Sequence, residues 1–162
     1  MNKIQYLFLR ISRFKMPMNL RRLTLKLSGI TLPKTSNINE GIKSTLNNIT
    51  IGENVFINKY CQFEDGFHGG SVTIEDNVMI GPNVHFCTVS HNIGSKACRA
   101  GKTFLAPIVI KKGCWICIDS TILPGVTIED GCVIAAGSIV TKSTYPNGLY
   151  AGAPAQRIKD LD

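Results

Sequence analysis

The chain has 162 residues, 44% of them hydrophobic, with 18 Lys and Arg against 11 Asp and Glu for a formal net charge of +7. That length suits one domain with little to spare. The apolar content excludes a disordered chain, and no run approaches the roughly 18 apolar residues of a membrane-crossing helix. The charge invites a nucleic-acid or membrane-surface reading, but it is lopsided. Lys3, Arg10, Arg13, Lys15, Arg21, Arg22, Lys26 and Lys34 all precede the first acid, Glu40, and from there on ten cations face eleven acids. A near-neutral body behind a basic arm speaks against nucleic acid.

Residues 1–28 read as helix. Ile4, Leu7, Phe8, Ile11 and Phe14 fall on one face with Lys3, Arg10 and Arg13 on the other. Pro17 breaks or restarts the helix, Leu20, Leu23 and Leu27 continue the apolar stripe, and Gly29 is a helix stop. Arg10 cuts off the apolar run Tyr6–Leu9 and no small-residue cleavage site follows, so no secretory signal is expected. Six cysteines without such a signal point to reduced thiols and a cytoplasmic location. Residues 30–44 are expected to lead into the first regular coil.

A period of six then takes over. Large apolar residues recur at Ile51, Ile57 and Phe63, at Ile74, Ile80 and Phe86, and at Ile110, Ile116, Ile122, Ile128, Ile134 and Val140. Four positions after each comes a small or β-branched residue, as at Val55, Cys61, Cys114, Ser120 and Cys132, often preceded by Asn or Gly. Six is neither the helical period nor a simple alternation. It suits a short flat strand and a corner, with the aliphatic inside, the small residue in a crowded corner and Asn or Gly in the left-handed region. Three units close a coil of 18 residues, and coils stack at a strand spacing of about 4.8 Å. Cys114 should then lie against Cys132, Ser120 against Ser138 and Ile110 against Ile128.

Two excursions interrupt the repeat. One, between Phe63 and Val72, is glycine-rich and holds His68. The other, residues 92–107, has no hexapeptide phase and carries Lys96, Arg99 and Lys102. Long departures from a rigid coil are often functional. After Tyr145, Pro146-Asn147-Gly148 reads as a turn from which the C-terminal segment leaves the coil. Cys114 and Cys117 have CxxC spacing, but hexapeptide phase explains them better than redox or zinc chemistry.

The repeat, with the tail APIVIKKGCWICIDSTILPGVTIEDGCVIAAGSIVTK and then AGAPAQRI, resembles the hexapeptide-repeat acyltransferases, in the branch of galactoside, maltose and colanic-acid-type O-acetyltransferases. The resemblance implies an all-β solenoid, a left-handed parallel β-helix over about residues 45–145. It further implies a homotrimer with acetyl-CoA bound between subunits and a sugar or glycan acceptor. The expected division is a basic helical segment at 1–35, the β-helix at 36–147 with its loop at 92–107, and a CoA-cleft segment at 148–162.

The resemblance also assigns residues. His91 stands where the family has its general base, a task suited to imidazole. Asn58 matches a position near the reacting oxygen and Asp65 one that contacts the sugar. Trp115 should project outward at the cleft, and His85, one face before His91, is a surface or cleft-lining residue. For acetyl-CoA it points to Ala136, Thr141 and Lys142, with Arg157 and Lys159 as phosphate partners. Gln156 stands where relatives often carry Arg or Lys, and Ile118 replaces a small polar residue. No metal is expected: the zinc enzymes sharing this fold use three histidines, and the spacing of His85 and His91 puts them on different faces. An N-acyltransferase and a non-catalytic scaffold remain the alternatives to sugar O-acetylation. The basic arm has two open roles, capping the first coil and a peripheral membrane contact through residues 1–28 at the inner face of the membrane.

Overall fold

A residue with positive φ at a fixed place in each hexapeptide turns the chain through a corner, and repeating that corner builds the fold. In the computed structural model, which describes residues 3–46, 48–66 and 69–162, positive φ falls at Asn54, Tyr60, Asn77, Asn83, Asp119 and the glycines at 113, 125, 131 and 137. Each stands one position before a buried small-slot residue, among them Val55, Cys61, Val84, Cys114 and Ser120. Tyr60 and Asp119 were not among the expected corner residues, and both adopt the left-handed region without being Gly or Asn.

The result is a left-handed parallel β-helix with three faces. The first face stacks Asn37–Ile38, Phe56–Ile57, Met79–Ile80, Trp115–Ile116, Val133–Ile134 and Gly148–Gly152 in parallel. The second stacks Lys43–Ser44, Gln62–Glu64, His85–Cys87, Thr121–Ile122 and Ile139–Val140. The third stacks Asn48–Ile51, Ser71–Ile74, Ile108–Ile110 and Thr127–Ile128. Ile110 pairs with Ile128 and Ile116 with Ile134, the 18-residue register expected. Every aliphatic of the repeat from Ile51 to Val140 is buried, and the Phe63 and Phe86 rings stack inside at 4.8 Å.

The small slot does more than save space. Cys61 Sγ donates to Gly81 O at 3.2 Å, Cys114 Sγ to Glu129 O at 3.0 Å and Ser120 Oγ to Ala135 O at 3.1 Å, each reaching a carbonyl of the next coil. A corner turns backbone carbonyls away from the strand ladder, and a buried carbonyl needs a donor. Cys and Ser are small enough to fit and still supply one.

The structure departs from the sequence reading in four places. Regular strands begin at Asn37, ahead of the repeat read from about residue 45, which does not show there because Ser44 and not an aliphatic fills the inward slot of Lys43–Ser44. The C-terminal segment does not leave: Gly148–Gly152 returns to the first face beside Val133–Ile134, and Ala155–Asp160 folds back antiparallel on it. The second excursion is a β-hairpin that starts at Val89, with Val89–Ile93 antiparallel to Ala100–Leu105. At the N-terminus, α1 (Lys3–Ser12) and α2 (Met18–Leu27) flank Pro17 as expected, but Leu9, Ser12, Arg21, Thr24 and Leu25 face the core while the apolar stripe points outward. Gly29, at φ +96°, ends α2: its N–H bonds Lys26 O, and that of the buried Ile30 bonds Leu25 O.

Phe86 is wholly buried against Phe63. Phe86→Ala should cost about 3–5 kcal/mol in urea unfolding; a loss below about 1 kcal/mol would mean that the stack does not hold the coils together.

Candidate active site

The hairpin that interrupts the coil carries His91. Its first strand leaves the edge between the second and third faces just after the buried Thr88, and His91 pairs across the hairpin with Thr103. His91 is exposed, and its Nδ1 lies 2.9 Å from Gly101 O and 3.5 Å from Thr103 Oγ1. A carbonyl only accepts, so Nδ1 carries the proton in the neutral ring and Nε2 keeps its lone pair. The hairpin thus fixes the tautomer a base requires. Sequence reasoning missed this partner, ten residues distant and identifiable only once the strands pair. From Asn77 to Ile118 the chain holds no acid, so Lys96, Arg99 and Lys102 leave the arm purely cationic.

The other expected acceptor-side residues are dispersed. Asn58 sits at the edge between the first and second faces, half-buried. Its Oδ1 accepts from Lys59 N at 2.8 Å and from Asn39 Nδ2 at 3.2 Å. Those two donors fix the orientation of the amide, whose Nδ2 has no acceptor among the described residues. Asp65, at the second–third edge below the arm, is buried, and its Oδ2 accepts from the amides of Gly69 and Gly70 at 2.9 and 3.0 Å. It holds these two glycine amides in place; His68 lies outside the described residues. His85 is on the second face with Nε2 3.3 Å from Glu64 Oε2, a pairing with no sequence signal. Trp115 projects from the first face, 54% exposed, between Met79 and Val133. Asn58 and Trp115 therefore lie to one side of the second face, and Asp65 and His91 to the other.

Near the C-terminal end a cavity of about 270 Å³ is lined by Thr141, Lys142, Ser143, Tyr145, Pro154 and Gln156, among others. It gathers Thr141 and Lys142 of the expected cofactor set and reaches Arg157. Ala136 and Lys159 lie outside it. Ala136 is at the first–second edge in register with Ile118, with a backbone N–H that has no acceptor among the described residues. Arg157, expected as a phosphate partner, is bonded within the C-terminal segment. Its Nη1 donates to Tyr145 O and the Tyr150 hydroxyl, its Nη2 to Pro146 O and Asn147 O, and its Nε to Asp160. All five N–H groups are engaged. The bonds to Tyr150 and Asp160 raise its pKa further. Lys142 and Lys159 are exposed and keep their ammonium groups available.

All six cysteines are free thiols. Burial pushes Cys114 up to about 12 and Cys61 up to about 11, so neither supplies a thiolate nucleophile near neutral pH. Cys117 is half-exposed at the corner after Ile116, while Cys114 points inward.

Comparisons with known proteins agree with this architecture. The family model for the bacterial transferase hexapeptide (six repeats) matches residues 107–142. Galactoside O-acetyltransferase of Escherichia coli K12 is 40% identical over 115 residues, 71% of this chain and 55% of that protein. A hexapeptide-repeat acetyltransferase from Vibrio cholerae, solved with acetyl-coenzyme A, superposes with a TM-score of 0.84 at 31% identity, covering 98% of this chain and 86% of its own. A galactoside acetyltransferase in complex with coenzyme A superposes with a TM-score of 0.85 at 31% identity, covering 98% and 79%. The chain belongs to the hexapeptide-repeat acetyltransferase family. It spans about half the length of the curated relatives it matches.

The assignment of Arg157 is checked by amide exchange. Arg157→Ala should speed exchange across residues 146–160 and leave the coils before Ile134 unchanged, whereas a residue that served only a phosphate would leave the free protein's exchange as it was.

Proposed function

We propose that the chain is an acetyl-CoA-dependent O-acetyltransferase that modifies a sugar hydroxyl by direct transfer, with His91 as the general base. The observation that carries this reading is the Nδ1–Gly101 carbonyl bond, which leaves Nε2 as an acceptor on an exposed arm. Nε2 takes the hydroxyl proton as the sugar oxygen attacks the thioester carbonyl. In this reading the free Nδ2 of Asn58 donates to the oxyanion of the tetrahedral intermediate. Collapse breaks the C–S bond, and the imidazolium returns its proton to the departing thiolate, so no covalent acyl-enzyme forms. Acetyl-CoA in the Vibrio cholerae relative and the sugar named for the Escherichia coli relative support the donor and acceptor classes.

The cofactor side falls to the cavity at Thr141 and Lys142, the Ala136 amide, which suits amide-rich pantetheine, and Lys142 or Lys159 for phosphate. Asn58 and His91 sit on opposite sides of one face, so a complete site needs His91 from one subunit and Asn58 with Trp115 from another. A homotrimer supplies that arrangement three times. The C-terminal resemblance and the cationic arm favour a bacterial surface polysaccharide as the acceptor, modified in the cytoplasm at the inner face of the membrane. No helix among the described residues is long and apolar enough to cross a membrane.

Thiol release from acetyl-CoA in the presence of a panel of glycan precursors tests the reaction; silence with every sugar would overturn it, and an N-acetylated product would move it to amino-sugar acylation. His91→Ala should lower turnover by about 10²–10⁴-fold and Asn58→Ala by about 10²–10³-fold, with the assembly intact. Mixing the two inactive variants under exchange of subunits should restore roughly a quarter of wild-type activity if each site spans two subunits of a closed ring. A mixture as inactive as its components would place both residues in one chain's site.

A further inference from the structure

We propose that the outer face of α1 and α2 docks the protein on an anionic lipid surface. Amphipathic helices on a globular body normally turn the apolar stripe inward. Here the relation is reversed. The inner face meets the first coil through Leu9, Ser12, Thr24 and Leu25, while Ile4, Leu7, Ile11, Leu20, Leu23 and Leu27 are exposed, Ile4 to 66%. Phe14, in the link between the helices, is 70% exposed. Large aliphatic and aromatic groups gathered on one small element and left in water mark a contact surface.

The charges beside them identify the partner. Arg21 and Arg22 are committed to the fold: Arg21 donates to Ile38 O and Phe14 O, and Arg22 to carbonyls of Leu32, Pro33, Lys34 and Ser36. Lys3, Arg10, Lys15, Lys26 and Lys34 have no acceptor among the described residues. Lys3 and Arg10, expected on the face opposite Leu7, lie by helical spacing one turn to either side of it on the outward face of α1, and Lys26 follows Leu23 by three on α2. No acid occurs before Glu40. Aliphatic groups to enter the acyl boundary, cations to meet anionic headgroups and no acid to repel them are the components of an interfacial helix. A second copy of the arm would set cations against cations, and the rest of the chain, with a net charge of −1 from Glu40 onward, has an excess of only one acid to offer them. The benefit of such docking to a glycan-modifying enzyme rests on the reaction proposed above, but the docking itself does not.

Vesicle flotation with the full chain tests the proposal. Binding is expected to vesicles of phosphatidylcholine mixed with phosphatidylglycerol, to weaken with salt, and to be absent with phosphatidylcholine alone. Leu7→Asp with Leu23→Asp should abolish it, and Lys3→Gln, Arg10→Gln and Lys26→Gln together should weaken it on the order of 100-fold. Acetyl-CoA binding and the light-scattering mass should stay unchanged in both variants, since none of these side chains faces the core. Failure of the wild-type chain to float with anionic vesicles, or flotation indifferent to both sets of substitutions, would overturn the proposal. So would a fall in assembly mass in the Asp variant, which would make the face a contact between subunits. Because flotation needs no turnover, a missing acetyltransferase activity leaves this result standing.

Discussion

Everything in this molecule depends on a backbone conformation that most residues avoid. A coil of three flat strands closes only if the chain turns sharply at each corner, and here the turns are made in the left-handed region. That conformation costs roughly 1–2 kcal/mol for a residue with a side chain, and least for Gly and Asn. The chain uses Gly and Asn at most corners and still places Tyr60 and Asp119 there. Stacking offsets the cost. Each corner is fixed from within by a small residue that fits against its neighbours, and in several coils by a Cys or Ser that donates to a carbonyl one coil away. With corners at fixed intervals the register cannot slip, because a shift of one residue would expose the aliphatic and bury its polar neighbour.

A stack so defined is rigid along its length and unfinished at its ends, where an open coil exposes unpaired backbone and apolar interior. Both ends are closed by arginine bonded to main-chain carbonyls. At the start, Arg21 and Arg22 tie α2 to the first coil, and Leu9 and Leu25 fill its interior. At the finish, Arg157 gathers the carbonyls of Tyr145, Pro146 and Asn147 and holds the last hairpin against them. The two ends are also where the molecule differs most from a plain prism: one presents an apolar face rimmed with cations, the other a cavity.

The coils from Ile110 to Val140 were legible because every slot of the repeat is filled by its preferred type. The first coil was not, since Ser44 occupies an aliphatic slot and breaks the pattern the eye follows. The last strand was hidden for a related reason: Gly148–Gly152 pairs with the first face, but its inward residues are Gly148 and Tyr150. Periodicity showed that α1 has an apolar stripe and could not show which way it faces; direction came from the packing of Leu9 and Leu25. His91 was singled out by the family resemblance, not by its position, which alone suits a surface residue at a loop edge. Its partner at Gly101 was not legible, nor was the engagement of Arg157, because neither a carbonyl acceptor nor a saturated guanidinium leaves a mark in composition.

The placement of His91 on a hairpin follows from what the prism lacks. A strand of two residues sends one side chain inward and one outward, so each coil offers a face only one or two outward groups, arranged in flat ladders such as Met79, Trp115 and Val133. A ladder can carry a contact surface, but it cannot surround a reacting centre. Depth has to come from a segment that leaves the coil, and such a segment must still hold an imidazole in one tautomer. Pairing Val89–Ile93 with Ala100–Leu105 meets both needs, since the antiparallel bonds stiffen the arm and bring Gly101 O within 2.9 Å of Nδ1. The arm departs from one edge of the second face while Asn58 lies on the other, so the chain does not itself bring the His91 imidazole beside Asn58. In the reading proposed here, the excursion that gives the site depth is the same feature that makes the site a property of the assembly.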